Sequence, residues 1–311
     1  MIYTVRGPIM QDSLGMTLSH EHFKWEFDDD FAQGMYFSHK YNEDHNKEVY
    51  KVLHPVMKDL KASGCQAVVE ASPPVGGQNL KLLKALSESL DMHIIPCTGW
   101  NVLKHTYDIF PSHFSEQLGD RWISDFKNGL DTIDGTVIRP GYIKILLDKG
   151  EISPVDKAML VAAIIASNET GMPIHCHILE AHMVPKVITL LKEHDANMSK
   201  FLWAHADKES DLHTIEMACK EGIWVGFDMI KEDTHDQRCK LLKAVIDRGL
   251  SSHILLSQDY DFYEEYDNKG EEHPCCLFFD AFLPYCKKEG IDQTTLKKIM
   301  TENPSNYYNI D

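Results

Sequence analysis

Two imidazoles flank a glutamate in "SHEHF" (19–23), at His20 and His22, and two more flank a cysteine in "IHCHI" (174–178), at His175 and His177. Side chains two apart on a strand share a face, so each pair projects to one side of its segment. Lys144 in "YIKIL", His205 in "WAHAD" and Asp259 in "SQDY" stand in similar short apolar runs. Neutral imidazoles and carboxylates are ligands for zinc, manganese, cobalt or nickel. A lysine is costly to bury without a partner. As a free amine near cations it can add carbon dioxide and become a carbamate, the kind of anionic bridge that two mutually repelling divalent ions require. Glu21, between the first two histidines, turns to the opposite face and reads as a bystander. His175 lies about 6.6 Å deeper than His177, two rises of a strand, and reads as a packing or supporting histidine, with Cys176 as core.

These residues are spread along the chain, so the elements that carry them must converge. Short β-branched runs alternate with stretches of helical period. Strands are expected at 15–23, 65–72, 93–100, 141–148, 173–178, 201–207, 223–229 and 253–259. Helices are expected at 46–63, 79–90, 153–170, 184–194, 211–221 and 236–249, several ending at a glycine suited to a left-handed cap: Gly64, Gly171, Gly222 and Gly249. Eight strand-then-helix units with no GxGxxG fingerprint predict an α/β fold, a (β/α)₈ TIM barrel spanning 1–311 as a single domain. His22, His177, His205 and Asp259 then fall at strand C-terminal ends, the rim where such barrels build active sites. The long segments 24–46, 101–135 and 260–275 follow strands on that same face and read as pocket walls.

Bulk properties narrow the partners. The balance of 31 Lys+Arg against 48 Asp+Glu gives a net charge of −17, which argues against nucleic acid and anionic membranes. No apolar run approaches the roughly 20 residues that span a bilayer, and the first residues lack a signal-peptide layout, so a cytoplasmic location is expected. Eight cysteines without a CxxC pair read as reduced thiols. The expected partner is a small-molecule substrate, with a homodimer as the possible assembly.

In order and spacing, "TLSHEHF", "GYIKIL", "PIHCHI", "FLWAHAD", "LLSQD" and "TENPSNYY" resemble the phosphotriesterase-like branch of the amidohydrolase superfamily, from about Thr17 to Pro304. The resemblance implies a binuclear metal hydrolase. His20, His22 and Asp259 would hold one divalent ion and His177 and His205 the other, with zinc the foremost candidate and manganese, cobalt or nickel as alternatives. Lys144, carboxylated on its side-chain nitrogen, would bridge them together with a hydroxide that attacks the substrate, while Asp259 relays the proton. Within that branch a lactone or carboxylic ester is the preferred substrate, phosphorylated sugar lactones included. A phosphotriester hydrolase, a mononuclear deaminase-like enzyme and a non-catalytic metal-binding barrel are the competing readings.

Trp100, at the end of the third strand, and Tyr260, just past Asp259, are candidates to line the substrate pocket, beside Phe262 and Tyr263. Lys208 and Lys231, just past strands six and seven, are candidate anion contacts; Lys24 and Arg238 join them if the substrate is phosphorylated.

Overall fold

The computed structural model describes residues 1–25, 43–100, 114–267 and 274–311. Apolar runs such as Ala67–Glu70 and Phe201–Ala204 are buried at every position, as strands covered on both faces must be. Strands β1 (Thr17–Glu21), β2 (Ala67–Glu70) and β3 (His93–Ile95) pair in parallel. A second parallel sheet runs β4 (Cys97–Trp100), β5 (Tyr142–Leu146), β6 (Ile174–His177), β7 (Phe201–Ala204), β8 (Trp224–Phe227) and β9 (Ile254–Leu256), each beside the next. The expected strand 93–100 is thus two, divided at Pro96, which has no N–H to give a ladder. Its first half pairs with β2 and its second with β5, so it joins the two sheets.

The ring closes between β9 and β1, and the seam is irregular. Ser19 Oγ donates to the Leu256 carbonyl at 3.0 Å, and His20 N–H donates to Ser257 Oγ at 2.9 Å. Beyond them Asp259 N–H reaches the His20 carbonyl at 3.1 Å, and His22 N–H the Tyr260 carbonyl at 2.7 Å. The result is the (β/α)₈ barrel the sequence predicts, except that its last strand ends at Leu256 and the chain reaches Asp259, at positive φ, outside it.

Helices α1 (Glu43–Ala62), α2 (Leu80–Leu90), α3 (Phe114–Asn128), α4 (Pro154–Thr170), α5 (Val184–Glu193), α6 (Leu212–Lys220) and α7 (His235–Ile246) follow the strands. Ser153 and Asp156 form a reciprocal capping box at the start of α4. The four expected cap glycines all stand at positive φ. The segment 101–135, expected as a pocket wall, has regular structure from Phe114 onward. It contains α3, whose Phe114, Leu118 and Trp122 recur every four residues and are buried, and most of an antiparallel hairpin, Asp131–Ile133 with Thr136–Ile138. Residues 26–42, 101–113 and 268–273, which hold the rest of the expected walls with His39 and His105, lie outside the described residues. The C-terminal helix Gln293–Tyr307 packs against β9 and β1, and Tyr307 hydroxyl donates to the Ile174 carbonyl at 2.8 Å. Among the described residues no helix is long and apolar enough to cross a membrane. All eight cysteines are free thiols.

Candidate metal centre

Lys144, mid-way along β5, is 2% exposed and directs its amine at His20, with Nζ 3.0 Å from Nε2. Its main chain is approached by Gly99 on β4, where a Cβ would stand 1.8 Å from the Lys144 carbonyl oxygen; only glycine permits that contact. His20 lies near the end of β1 and His22 just past it. Their Nε2 atoms are each 3.4 Å from the same oxygen, Asp259 Oδ1. His177 closes β6, and its Nδ1 faces His205 Nε2 at 2.7 Å. His205 and Asp259 both sit past strand ends at positive φ, 66° and 53°. Such backbone persists only where surrounding bonds enforce it. The structure therefore brings all six expected ligand side chains together, five from the strand C-terminal ends and Lys144 from mid-strand.

The far sides of the rings are also held. Asp228, just past β8, takes His205 Nδ1 at 2.7 Å and the His205 backbone N–H at 2.9 Å on Oδ1. Its Oδ2 lies 3.2 Å from His20 Nδ1, close but not aligned as a hydrogen bond. His22 Nδ1 meets Ser72 Oγ at 2.7 Å. Each outer partner turns the opposite nitrogen of its ring toward the centre, as ligating histidines require. Asp228 was not singled out in the sequence, although its place at a strand end is the same signal that marked the histidines. Gly226 makes room for it: a Cβ there would come within 2.6 Å of Asp228 Oδ2.

Burial and the nearby Lys144 amine pull His20 down to about 4, and burial with His205 and Lys144 holds His177 well below the ordinary imidazole range. Burial likewise lowers Lys144 despite Asp259. His205 runs the other way: burial opposes its charge, but Asp228 and Asp259 outweigh it and raise the ring. Burial alone would raise the Asp228 and Asp259 carboxyls, yet the His205 and His20 imidazoles keep both well below the carboxylate range. A centre built this way has neutral rings at His20, His22 and His177, ionised carboxylates, and a His205 ring whose charge those carboxylates favour. Such a donor set fits divalent ions, and the ring nitrogens of His177 and His205, 2.7 Å apart, must share a proton or a cation between them. The ligand atoms of His20, His22 and Asp259 all lie within 4.8 Å of one another. A second close group, His20, His205 and Asp228, uses the outward Nδ1 atoms and reads as the support behind the site.

Other sequence expectations change. Glu21 is no bystander. It is fully buried and accepts from Ser257 Oγ at 2.7 Å, Gln258 N–H at 2.8 Å and Tyr260 N–H at 2.9 Å. Arg238 is buried and pairs through Nε with Asp207 at 3.1 Å, which removes it from the anion contacts. His175 is deep, as expected, with Nε2 2.7 Å from the Tyr308 hydroxyl. Trp100 and Tyr260 are each 6% exposed, and Lys208 is exposed. Lys231 donates to the Asp259 carbonyl at 3.0 Å and lies 3.5 Å above the Tyr260 ring. Lys24 Nζ lies 2.7 Å from His45 Nε2. Trp25, unremarked in the sequence, stands edge-on to His22 at 4.8 Å between ring centroids.

Comparison with known proteins decides the family. The Phosphotriesterase family matches residues 1–308. This chain belongs to the phosphotriesterase family. Relatives of similar length include the "Phosphotriesterase homology protein" of Escherichia coli, 26% identical over 96% of this chain and 99% of that protein. The "Aryldialkylphosphatase" of Saccharolobus solfataricus is 24% identical over 97% and 98%. The "N-acetyltaurine hydrolase" of Xenopus tropicalis is 24% identical over 98% and 97%. The phosphotriesterase family consists of metal-dependent hydrolases with a binuclear centre, and the converging histidines and aspartate of this member are of the type that centre uses. The names "Aryldialkylphosphatase" and "N-acetyltaurine hydrolase" point to different substrates, so membership in the phosphotriesterase family leaves the bond that is cleaved to the pocket.

Proposed function

We propose that this chain hydrolyses a lactone or carboxylic ester, with His20, His22 and Asp259 holding one divalent ion, His177 and His205 the other, and Lys144 bridging them as a carbamate. The observation that carries the metal-centre part of this reading is the single oxygen of Asp259 set 3.4 Å from both His20 Nε2 and His22 Nε2, beside a buried lysine amine. The lowered Lys144 pKa favours the free amine that carbamate formation consumes. Bound divalent ions would supply Lewis acidity and water acidic enough to attack near neutral pH.

The protein groups do the rest. Asp259 has a side chain 25% exposed, the most open of the central carboxylates, so it can take a proton from the attacking water and return it to the leaving oxygen. Asp228 keeps the His205 ring fixed while charge shifts nearby. Trp25 screens one side of His22 from water. Lys231, bonded to the Asp259 carbonyl, is the cation assigned to an anionic substrate group, with Lys208 further out; Trp100 and Tyr260 would offer ring edges to the substrate.

The test is a hydrolysis screen of metal-loaded protein against lactones, phosphorylated sugar lactones, aryl esters, phosphotriesters and N-acetyltaurine, the last because relatives bear that name. Turnover of a lactone or ester that Asp259→Asn abolishes supports the proposal. Preference for a phosphotriester or an N-acyl substrate would replace the substrate class, and equal activity in Asp259→Asn would sink the role of the aspartate.

A further inference from the structure

We infer that Glu21 is the positioning residue for Asp259. Residues 257 to 260 leave β9 in an irregular turn that carries Asp259 at φ 53°, a conformation that an L-residue with a side chain resists. Backbone N–H groups flanking a left-handed residue form a concavity suited to an anion. Here a carboxyl group of the same chain fills it. Glu21 Oε1 accepts from Gln258 N–H and Ser257 Oγ, and Oε2 accepts from Tyr260 N–H, so one carboxylate grips the chain on both sides of Asp259.

The remaining groups of the turn are fixed by other partners. Asp259 N–H donates to the His20 carbonyl, its own carbonyl accepts from Lys231, and the Tyr260 carbonyl accepts from His22 N–H. Because Glu21 lies between His20 and His22 on the chain, the strand that presents those two rings also sets the height of the Asp259 carboxylate between them. Three residues of one tripeptide thus define three corners of the same site, two by their rings and one by holding the fourth residue. Acceptor oxygens are needed on both sides of the group: two donors converge on Oε1 and one on Oε2, and an amide would oppose at least one of them with its own N–H. Alternation along the strand, which sends Glu21 away from the centre, is what allows it to reach the outside of the turn.

The inference rests on the proposed role of Asp259 for its catalytic consequence, but its structural part can be read without metal. In metal-free Glu21→Gln, hydrogen exchange at the Gln258 and Tyr260 amides should rise about tenfold or more, while exchange in Ile174–His177 stays as in the unmodified protein. In the metal-loaded variant kcat should fall about tenfold or more with KM little changed, and the loss should not add to that of Asp259→Asn. Ser257→Ala removes one of the three donors and should give a smaller effect of the same kind, which keeps the test open if Glu21→Gln does not fold. Faster exchange across the whole barrel, or local exchange with kcat intact, overturns the inference. Full additivity with Asp259→Asn also overturns it. If the unmodified enzyme proves inactive on every substrate, the proposed function fails, while the amide exchange still decides whether Glu21 holds the turn.

Discussion

One oxygen of Asp228 holds both the ring and the main chain of His205, at 2.7 Å from Nδ1 and 2.9 Å from the backbone nitrogen. The left-handed conformation of His205 and the orientation of its imidazole therefore have a common cause. Asp228→Asn keeps the size of the group but loses the charge and presents an N–H to one of its donors. Metal affinity should fall about 10- to 100-fold, measured by competition with a coloured chelator. Unchanged affinity would show that the ring is held by packing alone.

Lys144→Ala separates the readings of the centre. If the lysine bridges two ions, both should be lost together, and elemental analysis of the purified variant should find little metal. One ion retained at full occupancy would instead point to a mononuclear, deaminase-like site.

Arg238→Ala should cost stability rather than substrate preference. The guanidinium is buried against Asp207, itself fully buried and pushed up to about 7 by its burial and by Asp228. Removing one member of such a pair costs about 3 to 5 kcal/mol, to be read from the denaturant midpoint at constant slope. A loss of activity on phosphorylated substrates alone, at unchanged stability, would restore the anion-contact role.

Glu70 predicts a pH dependence. Burial raises its carboxyl from 4.5 to about 7 despite hydrogen bonds from Ser72 and Phe23. The folded state therefore holds a proton that the unfolded chain releases. Its contribution to stability is full below about pH 4.5 and is lost as pH rises through about 7. Glu70→Gln should reduce this fall, by at most about 1.4 kcal/mol per pH unit in the window, in urea melts of metal-free protein between these limits. An identical slope in both proteins would refute it.

The strands and the inward histidines were legible because alternation along a strand needs only neighbouring residues. Asp228 was not, since a lone acid at a strand end acquires meaning only when it reaches two rings on other strands. Glu21 was misread for a related reason. The period of two correctly turned it from the centre, but its partners lie 236 to 239 residues away. Arg238 looked like a free cation until Asp207 closed on it. Helix α3 was passed over because its apolar spacing begins after a stretch with no clear period.

The irregular seam between β1 and β9 bears on how the barrel comes into being. Ser19 bonds to Leu256 across 237 residues, so nearly the whole chain must be made before the ring can shut. Contacts of that range form late. A chain stopped before Ile254 would carry every histidine of the centre and Asp228 but not Asp259, and β1 would remain an open edge, the kind that recruits other strands. During synthesis the protein is thus most prone to aggregate just before its site is complete, and the same few residues end both conditions.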